Sequence, residues 1–380
     1  MASLPEFNTY LETIDEGDDT TPIAAAVAEL LRLLNSPRSF ATALHPDQVA
    51  RALMQRDKHR LLATREQQDA QEFFTLLIDA LEAESARQWL VVNKPAGLES
   101  ISDLSPATSR APSTRGVSLK TMSTQDTHAP SPFEGLSANR MGCLKCKYVE
   151  NIRHEKFGPT VLPLNAQQST TLEECLKETF KMEVLEDVEC QRCTLLAYRT
   201  NLCRVIGSLS SAKQSSPQLT KAVTNAKSRL DAIDLALESG QIEDPKLLAP
   251  AGGDKEIKKF VQRSPKTKHH MIARPPRLLA FHIQRSSFHN YTGRALKNQS
   301  PVSFPVTLDM SEYVTTSTLS MDPEEPISKW MTGDPRTVYR LRSVVVHYGL
   351  HHMGHYVAYR YAEGGWYRIS DEDVEYLPFI

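Results

Sequence analysis

Two pairs of cysteines constrain the fold of this chain more than any other feature of its sequence. Cys143 and Cys146 form one C-x2-C pair, and Cys190 and Cys193 form a second. Each pair can present two thiolates to one metal ion from a tight turn, and four thiolates complete the tetrahedral shell that suits zinc. Because a closed shell leaves no position for a substrate, we predict a structural zinc ion that joins the tips of a β-rich unit. The alternative interpretation is two unrelated turns that hold ordinary buried cysteines.

Composition and charge are those of a folded intracellular chain. The 380 residues carry 44 Lys and Arg against 46 Asp and Glu, which argues against a whole-chain binder of nucleic acid or membranes. Four of the six cysteines fall in the two pairs, so a disulfide scaffold is excluded and a reducing compartment is indicated. The most apolar helical stretch, 23–34, is too short to span a bilayer, and no signal peptide precedes it. We therefore expect a cytoplasmic protein without membrane contact within this chain.

Local patterns in the sequence divide the chain into five parts. Hydrophobic periodicity, turn signals and low-complexity composition separate them. They are a helical part at 1–90, a disordered insertion rich in Ser, Thr and Pro at 91–132, a zinc-bearing β part at 133–206, a partly helical insertion at 207–270, and a β-rich part at 271–380.

Capping patterns predict where several helices begin. Thr21 is followed by a proline at the first helical position. Thr64 is followed three residues later by Gln67, and Thr171 by Glu174, as in a capping box. Ser216 begins a further helix that ends at Gly240. The apolar stripe of that helix is expected to dock on the parent domain or on a partner.

A histidine-rich segment near the C-terminus carries the candidate catalytic base. His355 opens a predicted strand after a loop bounded by Gly349 and Gly354, and a histidine in this position suits a general base that faces a cleft. A second metal site at His351, His352 and His355 is the weaker alternative, because no acidic residues accompany them in the loop.

The partner of this base depends on the register of the following hairpin, whose turn signal is Glu363-Gly364-Gly365. A two-residue turn places Ser370 on the face of His355, and a three-residue turn brings Asp371 to that face instead. A histidine base needs an acceptor that orients its second nitrogen. Ser370 and Asp371 are therefore both candidate catalytic residues.

Four motifs occur in an order that resembles a known family. They are QQDAQEF at 67–73, the paired C-x2-C motifs, PRLLAFHIQR at 276–285, and GHY at 354–356 followed by WY at 366–367. Together they resemble the ubiquitin-specific proteases, the papain-like cysteine deubiquitinases. The resemblance covers nearly the whole chain apart from the two insertions. Ser370, where most of the family has Asp or Asn, and the FHIQR run are similar to the mitochondrial outer-membrane branch and its fungal relatives.

The resemblance implies an α+β fold of the papain-like type with a helical thumb, zinc-ribbon β fingers and a β-rich palm. It implies that His355 is the general base, with Ser370 as the third member of the triad and Asp371 beside it. It also implies that ubiquitin is the partner and that its C-terminal tail passes between thumb and palm. The residues expected to bind that tail are Gln67, Asp69, Glu72, Gly349, Gly354 and Tyr356.

One departure from the family concerns the nucleophile. The family carries it in a Gly-Asn-Thr-Cys box near the start of the domain, and this sequence contains no such box. Residues 2–5, followed by Phe7 and Tyr10, look like the end of the helix that the nucleophile normally begins. Cys175 lies on a buried helical stripe beside two glutamates, and Cys203 has no helix N-terminus to activate it, so neither is expected to replace the nucleophile.

Three functions remain as hypotheses. The first is a ubiquitinyl hydrolase represented by a chain that begins after its nucleophile and is inactive alone, with a complete product anchored in the mitochondrial outer membrane and facing the cytosol. The second is a non-catalytic ubiquitin-binding module. The third is a zinc-ribbon nucleic-acid binder, which rests on the cysteines and on the basic run at 254–277 and leaves the other motifs unexplained.

Overall fold

Helices make up the described N-terminal part of the chain, in agreement with the apolar periodicity of its sequence. The computed structural model describes residues 1–14, 21–36, 44–56, 69–92, 130–165, 168–211, 216–288, 295–329, 334–350 and 353–378. Thr64, Gln67 and all but the ends of the predicted insertion at 91–132 lie outside these residues. The helices are α1 (Pro5–Ile14), α2 (Pro22–Asn35), α3 (Asp47–Arg56) and α4 (Ala70–Val92).

The N-terminal helices share one apolar core. Phe7, Leu11 and Leu81 are at most 2% exposed. Phe133 packs edge to face against Phe7 and Phe74, with ring centroids 5.8 and 5.2 Å apart, and so joins the helices to the sheet that follows. Burial of a side chain of this size stabilises the fold by about 2 kcal/mol.

The N-terminus of α2 is capped by a residue distant in sequence. Thr21 precedes the helix as predicted, but its side chain makes no capping hydrogen bond. The carboxylate of Glu84 on α4, which is fully buried, accepts hydrogen bonds from the amides of Ile23 and Ala24 at 3.1 and 2.8 Å. A buried anion at a helix N-terminus is stabilised by the helix dipole and by the free amides, so this contact locks α4 to α2.

A four-stranded antiparallel sheet forms the middle of the chain. Its strands are β1 (Gly135–Cys143), β2 (Arg153–Phe157), β5 (Glu183–Glu189) and β6 (Arg263–Arg274), in the order β2-β1-β6-β5. Between them lie β3 (Thr160–Pro163), β4 (Thr170–Thr171) and α5 (Leu172–Phe180). The capping box predicted at Thr171 is confirmed, since its hydroxyl accepts from the amide of Glu174 and the Glu174 carboxylate accepts from the amide of Thr171.

A helical excursion leaves this sheet at the second cysteine pair and returns to it. It contains α6 (Gln191–Ser210), α7 (Pro217–Ser239), α8 (Pro245–Leu248) and α9 (Gly253–Ile257), packed around a core of their own. The predicted helix from Ser216 to Gly240 is confirmed, with Gly240 in the left-handed conformation that ends it.

Two element assignments from the sequence are wrong. Residues 191–206, assigned to the β part, are helical, and residues 263–270, assigned to the insertion, belong to the central strand β6. Carboxylates pair with basic residues of β6. Lys266, which is buried, binds the Glu150 carboxylate at 2.6 Å.

A strap, residues 316–329, crosses the sheet and is held by buried polar groups. The guanidinium of Arg140 donates to the carbonyl oxygens of Ser320, at 2.6 Å, and of Glu325. His269 accepts the amide of Ile327 at Nδ1 (3.0 Å), so its Nε2 carries the proton and donates to the Phe180 carbonyl at 3.2 Å. Burial, with the Arg140 charge second, lowers the pKa of His269 to about 4.

The C-terminal part is built from strands. A four-stranded antiparallel meander in chain order contains β13 (Ser343–Gly349), β14 (Gly354–Ala362), β15 (Gly365–Ser370) and β16 (Asp373–Leu377). Shorter two-stranded pairs attach it to the rest: β7 (Phe281–Gln284) with β3, β8 (Ser286–Phe288) with β9 (Ala295–Lys297), β10 (Val302–Ser303) with β4, and β11 (Thr307–Asp309) with β12 (Val338–Arg340). Among the described residues, no helix is long and apolar enough to cross a membrane.

Candidate functional site

The four paired cysteines form one cluster at the tip of the central sheet. The Sγ atoms of Cys143, Cys146, Cys190 and Cys193 all lie within 4.8 Å of one another. The Cys143–Cys193 and Cys146–Cys190 sulfur pairs are 3.8 and 3.6 Å apart. A tetrahedral zinc ion with Zn–S bonds of about 2.3 Å requires sulfur separations of about 3.8 Å. The cluster therefore fits zinc in both donor type and spacing.

Local backbone geometry brings the two pairs together. Cys143 ends β1, and the turn to Cys146 is closed at Lys147, which has a positive φ of 58° and whose amide donates to the Cys143 carbonyl at 3.0 Å. Cys190 directly precedes α6, and Cys193 lies in its first turn. The Cys190 amide donates to the carbonyl of Gln262 at 2.9 Å, which pins the second pair to the sheet.

The thiols of the cluster differ in pKa. Burial alone would raise the pKa of the Cys143 thiol, but the hydrogen bonds from Ser264 and Cys146 outweigh it and lower that pKa to about 6. Burial and the neighbouring sulfurs raise the pKa of Cys146 and of Cys193. A divalent metal among the sulfurs would stabilise all four as thiolates.

The candidate base and its predicted partner meet on the meander. His355 Nε2 lies 2.8 Å from the hydroxyl oxygen of Ser370. The hairpin has the two-residue turn at Glu363 and Gly364, both with positive φ, and pairs Ala362 with Gly365. The register expected from the shorter turn is thus confirmed, and it is this register that places Ser370 on the face of His355.

Asp371 lies on the other side of the imidazole ring. One of its carboxylate oxygens is 3.9 Å from His355 Nδ1, and its side chain is 81% exposed. Its φ of 51° is in the left-handed region, because the turn between β15 and β16 begins at this residue. Ser370 and Asp371 therefore approach different nitrogens of one ring, an arrangement that the sequence treated as alternatives.

The loop before His355 is shaped by two glycines. Gly349 has a φ of +116°, and a Cβ on it would overlap the Met353 carbonyl, to which the Leu350 amide donates at 2.8 Å. A Cβ on Gly354 would overlap Nε2 of His347. The two glycines predicted to line the tail channel thus have a local steric role. His351 and His352, the weaker metal-site alternative, lie outside the described residues.

The helical and β-rich parts touch at Tyr356. The amide of Ala70, the first residue of α4, donates to the Tyr356 hydroxyl at 3.3 Å. The carboxylate of Asp69 caps the same helix, since its Oδ1 accepts from the amides of Gln71 and Glu72 at 2.7 and 3.2 Å. This cap was not predicted from the sequence, although an Asp before an amphipathic run is an ordinary helix-start signal. Asp69 and Glu72 are both exposed, so two carboxylates stand beside the contact.

Two cysteines lie outside the metal cluster, and neither contacts the candidate base. Cys175 is buried on α5, and burial together with the Glu174 charge raises its pKa. Cys203 is exposed in the middle of α6, a helix within the residues assigned to the β part. All six cysteines lie within the described residues, and none is within hydrogen-bonding distance of His355.

Solved structures with the same fold include deubiquitinase modules. A structure of the SAGA Ubp8/Sgf11/Sus1/Sgf73 DUB module bound to ubiquitin aldehyde matches 99% of this chain and 61% of its own, with a TM-score of 0.55 and 16% sequence identity. A second, with Ubp8(C146A) bound to monoubiquitin, matches 98% of this chain with the same TM-score. The α+β fold described above is thus the ubiquitin-specific protease type of papain-like fold, with helical thumb, zinc-ribbon fingers and β-rich palm.

The sequence comparison gives the family. The model of the ubiquitin carboxyl-terminal hydrolase family matches residues 1–378, and the chain belongs to this family. Ubiquitin carboxyl-terminal hydrolase 1 of Saccharomyces cerevisiae is 32% identical over 52% of this chain and 24% of its own length. The hydrolase numbered 27 of Arabidopsis thaliana is 25% identical over 98% and 77%, and the one numbered 16 of Emericella nidulans is 24% identical over 89% and 50%. The chain thus spans a quarter to three quarters of these relatives.

Proposed function

We propose that this chain is the ubiquitin-binding and general-base part of a cysteine-type deubiquitinase, which hydrolyses the peptide or isopeptide bond after the C-terminal glycine of ubiquitin. The observation that carries the proposal is the 2.8 Å contact between His355 Nε2 and the Ser370 hydroxyl. A histidine held at one nitrogen by a fixed acceptor, with the other nitrogen free for a proton, is the arrangement that activates a thiol.

We propose separate roles for the two ring nitrogens of His355. A neutral imidazole has one donor and one acceptor nitrogen, so a base that accepts at Nδ1 must donate its Nε2 proton to Ser370 Oγ. Nδ1 then takes the proton of the attacking thiol. Ser370 orients the ring but carries no charge, and the Asp371 carboxylate, 3.9 Å from Nδ1, supplies the negative charge that stabilises the imidazolium.

The reaction then follows thiol-protease chemistry. The thiolate attacks the carbonyl carbon of the terminal glycine, and the C–N bond breaks as the leaving amine takes the proton from His355. Water attacks the resulting thioester, giving up its proton to the imidazole, and the thiol and the ubiquitin carboxylate are released.

We propose that the nucleophile is a cysteine other than the six of this chain, so that residues 1–380 alone do not hydrolyse ubiquitin conjugates. Four cysteines are committed to the metal cluster, Cys175 is buried with a raised pKa, and none of the six reaches His355. The same observation favours a second candidate function, a non-catalytic ubiquitin-binding module.

Ubiquitin is the proposed partner in both cases. The exposed carboxylates of Asp69 and Glu72, beside the Tyr356 contact, are proposed to bind its basic tail. Gln67, Gly349 and Gly354 are proposed to bind the same tail. The zinc ion is proposed as structural because the four-sulfur shell is closed. We further propose a cytosolic site of action at the mitochondrial outer membrane, which imaging of the tagged protein in cells tests.

Two measurements on the chain test these proposals. Titration of labelled 1–380 with ubiquitin should give saturable binding, and Asp69→Asn, which keeps a capping side chain and removes its charge, should weaken it several-fold at low salt. Asp47→Asn, which removes a carboxylate at the start of another helix, is the matched control and should bind as the wild type does. Absence of binding would overturn the proposal.

The second measurement addresses the nucleophile. Incubation with ubiquitin that carries a thiol-reactive group at its C-terminus, followed by intact mass, should give no adduct. An adduct on Cys203 or Cys175 would show that the chain contains its own nucleophile. Addition at the metal cluster only after chelation would identify a released zinc ligand and would leave the proposal in place.

A further inference from the structure

Lys297, the last residue of β9, makes an unusually complete set of hydrogen bonds with one short segment of β13. Its Nζ lies 3.0 Å from Nδ1 of His347, 2.9 Å from the His347 carbonyl oxygen and 2.8 Å from the Gly349 carbonyl oxygen. An ammonium group has three N–H donors and no acceptor. All three donors are therefore used within residues 347–349.

The environment of Lys297 is not that of an ordinary surface lysine. The side chain is half-buried, and burial, with the nearby Arg285 charge second, lowers its pKa. Within the part of the chain that the structure describes, Lys297 forms no salt bridge, and its protein partners are neutral oxygen and nitrogen acceptors. Charge-assisted hydrogen bonds of this kind are about twice as strong as neutral ones, so three of them hold the end of β13 firmly.

The clasped segment leads directly to the candidate base. The His347 ring, oriented by Lys297 at Nδ1, packs against the Tyr356 ring with centroids 4.7 Å apart and occupies the space that a Cβ of Gly354 would need. Gly354 and Tyr356 are the two neighbours of His355 in β14. β13 and β14 are also paired at these positions, His347 with Tyr356 and Gly349 with Gly354.

We infer that Lys297 is a positioning residue for His355: by clasping residues 347–349 through three hydrogen bonds, it fixes the start of β14 and thereby the approach of the His355 imidazole to Ser370. This inference rests on the proposed function, in which His355 is the base. It assigns to the β8–β9 hairpin, which carries no recognised motif, a part in setting the geometry of the site.

The test uses the chain as it stands and does not depend on turnover. Lys297→Met keeps the length of the side chain and removes its donors. It should increase exchange of the Leu350 amide, which closes the adjoining loop, by about tenfold, as loss of a hydrogen-bonded support predicts. It should also move the imidazole 15N shifts of His355 from those of one tautomer toward the average of two, because the ring is no longer held against Ser370.

Matched variants separate positioning from general damage. Lys297→Arg keeps the charge but presents a planar fork that fits three clustered acceptors poorly, so it should rescue the His355 signal only in part. Lys329→Met removes a lysine that is 83% exposed and should leave both readouts as in the wild type. If Lys297→Met fails to fold, Lys297→Gln, which retains two donors, provides the same comparison.

The outcomes distinguish the two proposals. The positioning role would be overturned if Lys297→Met showed the same His355 shifts and the same Leu350 exchange as the wild type, whatever the ubiquitin titration gives. Failure of the wild-type chain to bind ubiquitin would overturn the proposed function, while the His355 signature would still report on Lys297.

Discussion

Acidification should destabilise the protein through one buried histidine. His269 is 8% exposed, and its neutral ring joins the Ile327 amide to the Phe180 carbonyl. Its pKa falls from 6.5 to about 4 in the folded chain. Between pH 4 and pH 6.5 the unfolded chain therefore binds a proton at this histidine and the folded chain does not. The contribution of the neutral ring to the free energy of unfolding is complete above pH 6.5 and is lost as the pH falls toward 4.

The size of the effect follows from the two pKa values. At pH 5 the unfolded histidine is almost fully protonated and the folded one almost fully neutral, so this residue costs about 2 kcal/mol relative to pH 7.5. Glutamine at this position can donate to the Phe180 carbonyl and accept from the Ile327 amide without titrating. His269→Gln should therefore lose about 2 kcal/mol less than the wild type over the same interval.

Urea unfolding of both proteins at pH 7.5 and pH 5 measures this difference, because other acid-sensitive groups, the metal cluster included, contribute equally to both. The protection factor of the Ile327 amide, which corrects exchange for its intrinsic pH dependence, gives a local readout, and it should fall with acid only in the wild type. His154→Gln, at an exposed histidine, is the control. Parallel losses of stability in the wild type and His269→Gln would refute the reasoning.

Three further predictions concern other contacts. Ser370→Ala removes the acceptor at 2.8 Å from His355 Nε2 and should shift the imidazole 15N signals toward mixed tautomers, whereas Ser343→Ala, exposed on the same meander, should not. Purified protein should contain one zinc ion per chain by elemental analysis, and Cys190→Ser should lose it together with the protection of β5 and β6 amides, whereas Cys203→Ser should keep both. Glu84→Ala should cost about 3 kcal/mol in urea unfolding because it leaves two buried amides unpaired, and Glu29→Ala, at an exposed ion pair, should cost under about 1 kcal/mol; equal costs would contradict the buried-cap interpretation.

The sequence predicted those features whose causes are local. The cysteine spacing defined the metal cluster, and the turn residues Glu363 and Gly364 fixed a register that brought Ser370 to His355. In each case a few adjacent residues determine the backbone, and the consequence for distant atoms follows from the periodicity of a strand.

The features that escaped prediction depend on contacts between distant segments. Glu84 caps a helix that begins sixty residues earlier in the chain, and Lys297 clasps a strand fifty residues later, so no spacing in the sequence marks either residue. The basic strand β6 was assigned to the insertion because the carboxylate of Glu150, which pairs with Lys266, is more than a hundred residues away in the sequence. The helix α6 was missed because it begins between the two cysteines that indicated a zinc-binding turn.

The attachment of α6 to the cysteine cluster couples small rotations at the cluster to larger displacements at the far end of the helix. Cys193 is in the first turn of a helix of 20 residues, which extends about 30 Å from the metal position. A rotation of about 5° at the cluster therefore moves the far end of a rigid helix of this length by about 3 Å. Conversely, a force applied near Ser210 exerts a torque on the sulfur shell that increases with the length of the helix.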